Sequence, residues 1–583
     1  MIFYTALCAK VSQSAYYDFI IILIAEQNLM FCSQFLRNKC FGMEEYYKMD
    51  KYVDSATMKQ IDYRSINEVG IPSMVLMERA SLAVAKNIIN REDLKKKIIV
   101  VSGVGNNGGD GVCTARILKE YGYTVDIYLV GNIEKCTTET NTQINIAKNC
   151  GVNFINQIDF NEYDIIVDSI FGIGLCRDVQ GDFYDIINQI NNANKIVYSV
   201  DVPSGINTDT GAIQGIAVKA NYTITFGVNK KGLILHTGRV YAGRVIVEDI
   251  GFPKHIIDSL TKEDCFLAYN EDIYREYLPK RKTNSNKGTY GRVLVVAGSK
   301  NMAGACYLSA KAAYRIGAGL VRIFTCEDNR EILQQLVPEA IMTTYQRSNG
   351  IDDTDYKSLE KQCLELLEEA VKWSTCVVVG PGLGTDSLAK SMVKYLVENC
   401  SKTMIIDADA INNISCMDFN ADFNIDKYNN VIFTPHLKEM SRLLQCGIND
   451  IRENQYNPKS LFEKIQGIDG ENNVLVLKDA TTLIVDIDKV YVNTSGNNGL
   501  ATGGSGDVLT GIIAGLVAQG LDNIKASFKL ILKMILVFIL IGALTVGLII
   551  ANMYVGLIIA TLVAVVFSVL AFIVYPTKLY SGI

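Results

Sequence analysis

The stretch Val100–Ala115, VVSGVGNNGGDGVCTA, puts a glycine-rich loop between an apolar run and a helical pattern. The apolar run Ile98–Val101 predicts a buried strand, and residues 112–122 predict the helix that follows the loop. The G-x-G-x-x-G spacing that starts at Gly103 is typical of loops whose backbone approaches the phosphates of a dinucleotide. Asp126 lies about twenty residues further on, where such a fold places an acidic ligand of a ribose. The stretch therefore predicts an α/β unit with a nucleotide-type loop.

This loop carries side-chain oxygen donors that an ordinary dinucleotide-binding fold does not need. Asn106 and Asn107 lie between its glycines, and Asp110 follows within Gly-Asp-Gly. Amide and carboxylate oxygens are hard donors that suit hard cations and sugar hydroxyls. Two further loops, 168–174 and 201–205, follow predicted strands at the carboxyl edge, where α/β sheets bind ligands. Either loop alone could be a tight turn capped by Asp or Ser, but three such loops in one sheet predict a site.

Composition narrows the classes of protein to which the chain can belong. Its 583 residues correspond to about three or four domains. The net charge of −6 leaves no basic footprint for nucleic acid. The 15 cysteines contain no C-x-x-C pair, which argues against a disulfide framework or a zinc ribbon and favours a reducing cytosol. The histidines His236, His255 and His436 share no metal-ligand spacing, which argues against a transition-metal site.

Two series of strand and helix patterns divide the chain. Residues 49–268 alternate predicted buried strands with helices such as 112–122 and 181–194; the strands are predicted at 98–103, 125–130, 164–172, 195–205 and 222–227. This alternation predicts a parallel sheet with helices on both faces. A polar, basic linker at 269–292 opens a second, different α/β unit, which we assign to 269–528. Residues 1–48 are an unassigned extension.

The tail at 529–583 is unusually apolar. No charged residue occurs from Met534 to Tyr575, a length of about two bilayer-spanning helices. Lys525, Lys529 and Lys533 precede this segment and Lys578 follows it. Positive charge at both ends favours a transmembrane helical hairpin with both ends in the cytosol, anchoring cytoplasmic domains through residues 530–575. The alternative is a buried pair of core helices.

Four stretches of the first half resemble one known family. KYVDSATMKQIDYRSINEVGIPSMVLMERAS, GVGNNGGDG, VDSIFGIG and SVDVPSGINTDTG are similar, in the expected order over 51–268, to the NAD(P)H-hydrate epimerases, the YjeF N-terminal domain. The resemblance implies a homodimeric, Rossmann-like three-layer domain that interconverts the R and S forms of 6-hydroxylated NAD(P)H. The dinucleotide would then be a damaged substrate, not a cofactor. One departure is Arg79, where the family usually carries Asn.

The same resemblance implies roles for individual residues. Asp201 would act as the acid/base at C6, since proton transfer needs a positioned carboxylate. The ligands of a potassium ion would be Asn107, Asp168 and Ser204. The residues that would hold the hydrated dinucleotide are Asn106, Asn107, Gly108, Gly109, Asp110, Gly172, Ile173, Gly174, Leu175, Cys176, Arg177, Asp178 and Asp201.

The second half contains its own anion-binding pattern within TSGNNGLATGGSGDVLTGIIAGLVAQG, 494–520. Residues 503–506 would present backbone N–H groups at the start of a helix, which suits an anion. Asp507, in the first turn, could remove a hydroxyl proton while those amides stabilise developing phosphate charge. A Walker-type GxxxxGK[ST] motif is absent from the sequence. Other loops follow predicted strands, and His436, in one of them, could equally be a structural histidine.

This half resembles the ADP-dependent NAD(P)H-hydrate dehydratases, which have a ribokinase-like α/β fold. The matching motifs are KGTYGRVLVVAGS, GAGLVRI, GPGLG, DADAIN, TPH and GLATGGSGDVLTG, over 280–520. The resemblance implies that ADP or ATP, with Mg²⁺, phosphorylates the C6 hydroxyl of the S hydrate, and that phosphate then leaves. Asp507 would be the base, and Gly382, His436 and Asp507 would contact the hydrate. The adenine nucleotide would be bound by Lys478, Asp479, Ala480, Thr481, Thr482 and Gly506.

Two departures from this family keep alternatives open. The family's PHPGE reads PHLKE here, with Leu437 and Lys438 replacing Pro and Gly. The resemblance stops near Leu521, so this half is expected to be truncated, either with a membrane hairpin in place of its closing helices or through a misjoined reading frame. The leading interpretation is a bifunctional repair enzyme for NAD(P)H hydrates. The alternatives are an epimerase with an inactive, membrane-tethered binding module and a small-molecule kinase of the ribokinase class; intact Asp507 and Lys478 favour activity.

Overall fold

The computed structural model describes residues 49–262, 265–268, 281–347, 353–417, 428–465, 472–495, 499 and 501–528. The extension 1–48, linker residues 269–280 and the tail from 529 lie outside this described part. The strands are β1 Asp50–Val53, β2 Lys97–Ser102, β3 Thr124–Leu129, β4 Asn153–Ile155, β5 Ile165–Ser169, β6 Ile196–Val200, β7 Tyr222–Phe226, β8 Asn229–Lys230, β9 Arg244–Glu248, β10 Phe266–Ala268, β11 Arg292–Val296, β12 Leu320–Cys326, β13 Ile341–Tyr345, β14 Cys376–Val379, β15 Thr403–Ile406, β16 Val431–Phe433, β17 Val474–Leu477, β18 Thr482–Val485 and β19 Val490–Asn493.

Helices connect most of these strands. The α-helices are Ser55–Asn67, Ser73–Ile89, Asn106–Glu120, Thr138–Asn149, Asp182–Asn192, Gly238–Tyr241, Lys254–Leu260, Ala303–Ile316, Arg330–Leu336, Asp353–Trp373, Ser387–Asn399, Asp409–Ser415, Leu437–Leu443, Ile448–Glu453, Pro458–Glu463, Ser505–Ala518 and Asn523–Phe528. Short 3₁₀ turns occupy Ile133–Lys135, Phe160–Glu162, Lys231–Leu233, Lys287–Tyr290 and Glu327–Asn329.

The first half is built on a seven-stranded parallel sheet of order β4-β3-β2-β5-β6-β7-β9. The five strands expected from the sequence are all present in it. Side chains alternate across a strand, and in β2 Ile98 and Val100 join one apolar cluster whereas Ile99 and Val101 join another. Helix Asp182–Asn192 supplies the second cluster. The sheet is therefore covered on both faces, as a three-layer domain requires.

The glycine-rich helix begins earlier than the sequence pattern indicated. We expected it over 112–122, and it spans Asn106–Glu120, so the motif itself forms its first turns. Glycine is unfavourable inside a helix, but here close packing requires it. A Cβ on Gly108 would lie 1.9 Å from the carbonyl oxygen of Gly103, and one on Gly111 would lie 1.9 Å from Oγ of Ser169.

The two halves share a sheet, which the sequence did not predict. The second sheet has twelve strands in the order β13-β12-β11-β14-β15-β16-β17-β18-β19-β10-β1-β8. Its last three strands belong to the first half and join through parallel pairing of Phe266 with Val490 and of Leu267 with Tyr491. Because β8 and β10 contain only two and three residues, neither produces a recognisable periodic pattern.

The predicted transmembrane helical hairpin is not supported. Across the described ranges, no helix is both long and apolar enough to cross a bilayer. The longest of them, Asp353–Trp373, has 21 residues but carries charged side chains along its length, whereas a span needs about 20 mostly apolar residues. The segment for which the hairpin was predicted, 529–583, lies outside the described residues.

Candidate active sites

The glycine-rich loop places an uncapped helix start at the carboxyl edge of β2. Gly105 is the N-cap of helix Asn106–Glu120 in an extended conformation and provides no side-chain cap, so the first-turn N–H groups are available to a ligand. Asn106 is exposed and Asn107 is half-buried. The Nδ2 atom of Asn107 is buried and finds no hydrogen-bond partner among the described residues.

A buried carboxylate, Asp168, lies at the loop that Asn107 contacts. Asp168, at the end of β5, accepts hydrogen bonds from the Ser204 amide (2.9 Å) and hydroxyl (2.5 Å) and from the Ser199 hydroxyl (2.7 Å). Ser204 Oγ also accepts a bond from the amide of Phe171 at 2.9 Å, and Asn107 packs against the next residue, Gly172. Burial raises the pKa of Asp168 despite these donors. In the described part of the chain, no basic side chain pairs with it.

Asp201 is the second candidate carboxylate of the first half. It follows β6 with φ of +63°, and its Oδ1 accepts hydrogen bonds from Nζ of Lys230 (2.6 Å) and the hydroxyl of Thr225 (2.9 Å). The lysine side chain is only 1% exposed. Its ammonium also donates to Thr225 Oγ1 (2.7 Å) and the carbonyl of Phe226 (3.0 Å), which uses all three hydrogens. Burial lowers the pKa of Lys230, and Asp201 opposes that shift.

Two further carboxyl groups lie within electrostatic reach of Asp201. Burial raises the pKa of Asp110 well above its ordinary value, and the charges of Asp201 and Asp62 add to the shift. Burial and Asp201 also raise the pKa of Asp62. A lysine-paired carboxylate therefore stands near two carboxyls whose pKa values are raised, a combination suited to acid and base roles. The sequence pointed to Asp201 and Asp110 but missed Lys230 and Asp62, which lie in unremarkable helical and turn patterns.

Asp126 does not occupy a ligand position. It lies within β3, is 8% exposed, and accepts hydrogen bonds from Asn153 (2.9 Å) and the hydroxyl of Tyr163 (2.9 Å). A ribose ligand would instead follow the end of a strand.

The loop 172–178, by contrast, does follow β5 and is partly to fully exposed. Arg79, which stands where the epimerase family usually carries Asn, places its guanidinium against the turn at Gly251.

The second half presents its glycine-rich anion pattern at the start of helix Ser505–Ala518. Gly504, its N-cap, has a left-handed φ of +86°, and a Cβ there would lie 2.4 Å from Cδ1 of Leu308 and 4.0 Å from Oδ2 of Asp507. Asp507 is in the first helical turn, as expected. Burial is the largest factor in raising its pKa to about 6, and the charge of Asp407 is the next.

A buried ion pair stands next to this helix start. Nζ of Lys478 donates to Oδ1 of Asp407 at 2.8 Å, and the hydroxyl of Thr510 donates to Oδ2 at 2.8 Å. Burial would raise the pKa of Asp407, but the lysine holds it below its ordinary value. A Cβ on Gly506 would lie 3.5 Å from Nζ of Lys478. The predicted residues Lys478, Gly506 and Asp507 are therefore together, and Thr510 and Asp407 complete the cluster.

Gly382 and His436, which were predicted to contact the hydrate, follow strands β14 and β16. Gly382 has φ of +59°, and a Cβ on it would lie 2.9 Å from Cβ of Met302. His436 is a helix cap: its Nδ1 accepts hydrogen bonds from the amides of Lys438 and Glu439 (both 3.1 Å), so its proton resides on Nε2. The side chain is still 49% exposed. Leu437 is buried at the start of this helix, so the PHLKE departure does not disrupt it.

Comparison with known proteins decides the family. Residues 73–232 match the profile of the YjeF-related protein N-terminus, and residues 293–530 match that of the NAD(P)H-hydrate dehydratases. The bifunctional NAD(P)H-hydrate repair enzyme of Moorella thermoacetica is 34% identical over 490 residues, covering 80% of this chain and 88% of that protein. This chain belongs to the bifunctional NAD(P)H-hydrate repair enzymes. The match reaches residue 530, past Leu521, where the resemblance was expected to end.

Other relatives give the same family. The bifunctional NAD(P)H-hydrate repair enzyme of Escherichia coli K12 is 32% identical and covers 74% of this chain and 78% of its own length. Among solved structures, the ADP/ATP-dependent NAD(P)H-hydrate dehydratase from Bacillus subtilis, co-crystallized with ATP/Mg²⁺, is 26% identical, with a TM-score of 0.35 over 45% of this chain and 84% of its own. The first half is thus the NAD(P)H-hydrate epimerase half, and the second is the NAD(P)H-hydrate dehydratase half.

Proposed function

We propose that the two carboxylate sites carry the two activities of the family on hydrated NAD(P)H. The observation that carries this proposal is that each half places a carboxylate at or near a glycine-rich helix. Asp201 is ion-paired with Lys230 and lies within electrostatic reach of Asp110 in helix Asn106–Glu120. Asp507, whose pKa is raised, lies in the first turn of helix Ser505–Ala518. The kinase and binding-module alternatives are not favoured, because the family match spans both halves.

In the epimerase half, Asp201 exchanges a proton at the C6 centre of the substrate. Lys230 keeps Oδ1 of Asp201 in place, which leaves Oδ2 for the substrate. Asp110 and Asp62, whose pKa values are raised, can supply or accept the complementary proton. The free N–H groups after Gly105 would hold the pyrophosphate, and loop 172–178 would close over the dinucleotide.

The same half fits a potassium ion. Asp168 is a buried carboxylate with an unfavourable pKa shift and no cationic partner in the described residues. Ser204 Oγ contacts Asp168 and the amide of Phe171, and the Asn107 side chain packs against the following residue, Gly172. Oxygen donors around one negative charge suit a hard monovalent cation. Bound there, K⁺ would neutralise Asp168 and fix the loop that precedes 172–178.

In the dehydratase half, Asp507 takes the proton of the C6 hydroxyl as that oxygen attacks the terminal phosphorus of ADP or ATP. The bond from that phosphorus to the bridging oxygen breaks, and AMP or ADP leaves. Loss of phosphate from C6 and of a proton from C5 then restores the reduced ring. The amides of residues 504–506 and Nζ of Lys478 stabilise the transferring group. The described residues contain no cluster of three or more His, Cys, Asp or Glu side chains able to hold a metal, so Mg²⁺ would be bound chiefly by the nucleotide phosphates.

Single substitutions separate the two activities. With an R/S mixture of hydrated NADH and ADP, Asp507→Asn should interconvert the two forms, seen by chromatography, without producing NADH. Asp201→Asn should return the S fraction to NADH and leave the R fraction behind. If Asp507→Asn keeps full NADH production, or if Asp201→Asn consumes both forms at the wild-type rate, the assignment of sites is wrong.

A further inference from the structure

The loop between β17 and β18, residues 478–481, is held at every position. Its first two residues are held within the dehydratase half. Lys478 is paired with Asp407 at 2.8 Å, and Asp479 accepts a hydrogen bond from Gln455 at 3.0 Å. This loop contains most of the residues proposed to bind the adenine nucleotide.

The last two residues of the loop are held by the epimerase half. Nη1 of Arg239 donates to the carbonyl oxygen of Ala480 and to the hydroxyl of Thr481, the latter at 2.8 Å. That hydroxyl in turn donates to the carbonyl oxygen of Ile234 at 2.6 Å. Thr481 is only 5% exposed. The hydroxyl therefore has both a donor and an acceptor partner, and both come from the other half of the chain.

These contacts are made from secondary structure at the junction of the two halves. Arg239 lies in the short helix Gly238–Tyr241, which follows β8, the edge strand of the shared sheet. β8 pairs with β1, which pairs with β10, which pairs with β19 of the dehydratase half. Burial lowers the pKa of Arg239, and the negative charge of Asp479 opposes that shift. The guanidinium thus acts on the loop through hydrogen bonds and through charge.

We propose that Arg239 is a positioning residue that holds loop 478–481 in its nucleotide-binding conformation, so that the epimerase half sets the nucleotide affinity of the dehydratase half. The inference rests on the proposed role of this loop in nucleotide binding. Without the guanidinium, Ala480 and Thr481 must be ordered when the nucleotide binds, and that ordering costs conformational entropy. The nucleotide therefore binds more weakly, whereas the reacting groups at Asp507 are unchanged.

Kinetics of Arg239→Ala test the proposal. We expect KM for ADP to rise about tenfold, with kcat for dehydration within about twofold of wild type and epimerisation unchanged. Arg239→Lys, which keeps a charged donor, should recover part of the affinity. Arg244→Ala is the matched control, because Arg244 is an exposed arginine of β9 in the same half. A double-mutant cycle with Thr481→Val should give non-additive effects on KM, since both changes remove the hydrogen bond between Arg239 and Thr481.

The outcomes separate this inference from the proposed function. Wild-type KM for ADP in Arg239→Ala, with the wild type itself using ADP, would overturn the positioning role alone. A parallel fall of epimerase and dehydratase rates, with a lowered unfolding temperature, would also overturn it, because it would show a merely structural residue. A wild type that turns over without any nucleotide would overturn the proposed nucleotide role of the loop and the inference with it.

Discussion

Lys230 donates a hydrogen bond from its buried ammonium to Oδ1 of Asp201 at 2.6 Å, across 29 residues of chain. The lysine belongs to β8, a two-residue strand that pairs with β1. Its backbone thus lies in the sheet shared by the two halves, while its side chain reaches the carboxylate that follows β6. The geometry of the epimerase site therefore depends on β8 and β1, strands of the sheet that joins the two halves.

Replacing Lys230 by Met should impair the epimerase selectively. The substitution leaves Asp201 without its cation and Thr225 Oγ1 without a donor, and it removes one of the hydrogen bonds to the Phe226 carbonyl. We expect R/S interconversion to slow by about 100-fold, the scale of lost acid–base catalysis, while dehydration of the S form stays within about twofold. Chromatography of the two hydrates measures the first rate. Lys219→Met, at an exposed lysine, serves as control, and equal losses in both variants would contradict the role of Lys230.

The dehydratase should lose activity on acidification. The pKa of Asp507 is raised to about 6, mainly by burial, so the carboxylate that accepts the hydroxyl proton forms only above that pH. We expect kcat/KM for the S hydrate to fall about tenfold per pH unit below pH 6 and to be level above it. Asp507→Asn should lower kcat by about 10²–10⁴-fold. Asp488→Asn, at an exposed loop position, should leave the profile unchanged; an acid limb that persists in Asp507→Asn would show that another group titrates.

Potassium should stabilise the epimerase half through Asp168. Burial raises the pKa of this carboxyl, so ionising it in the fold is unfavourable until a cation neutralises it. The stabilisation by K⁺ should therefore be largest at neutral pH and should disappear on acidification as Asp168 takes up a proton. Thermal unfolding in KCl and in LiCl at equal ionic strength should differ by a few °C at about 100 Kd of K⁺, which corresponds to about 2.7 kcal/mol. Asp168→Asn should abolish the difference; the same K⁺ response in that variant would exclude Asp168 as a ligand.

Two neighbouring glycines should respond differently to alanine. A Cβ on Gly108 would lie 1.9 Å from a backbone oxygen, whereas one on Gly105 would meet nothing within 4 Å. We expect Gly108→Ala to lower the free energy of unfolding by several kcal/mol, as overpacking against backbone does. Gly105→Ala should cost less than about 1 kcal/mol, the loss of a favourable N-cap residue. Denaturant unfolding measures both, and equal effects would mean that the helix start is not packed as described.

The sequence was informative where a pattern is local. GVGNNGGDG and GLATGGSGDVLTG predicted two glycine-rich helix starts, and Asp168, Asp201 and Asp507 were expected at strand or helix ends, where the structure has them. Each signal lies within one strand–loop–helix unit, so spacing and residue type suffice to locate it. The start of helix Asn106–Glu120 was predicted too late in the sequence because glycine has low helix propensity. Only the contact with Gly103 shows why Gly108 is tolerated inside that helix.

The sequence was uninformative where a partner is distant. Lys230 contacts Asp201 across 29 residues and Arg239 contacts Thr481 across 242, and neither residue lies in a motif. The shared sheet depends on strands of two to four residues, too short for a periodic pattern. The transmembrane hairpin was inferred from hydropathy and from the flanking lysines, and no described helix supports it.

The most direct test of the account is the recovery of NADH from an equilibrated R/S mixture of its hydrate. The reaction is followed by the near-ultraviolet absorbance of NADH, at a temperature where spontaneous epimerisation is slow, without nucleotide and then with ADP or ATP. We predict no recovery without nucleotide and rapid recovery of the whole mixture with it. Recovery of only the S fraction would contradict the epimerase half, and R/S interconversion without any NADH would contradict an active dehydratase half.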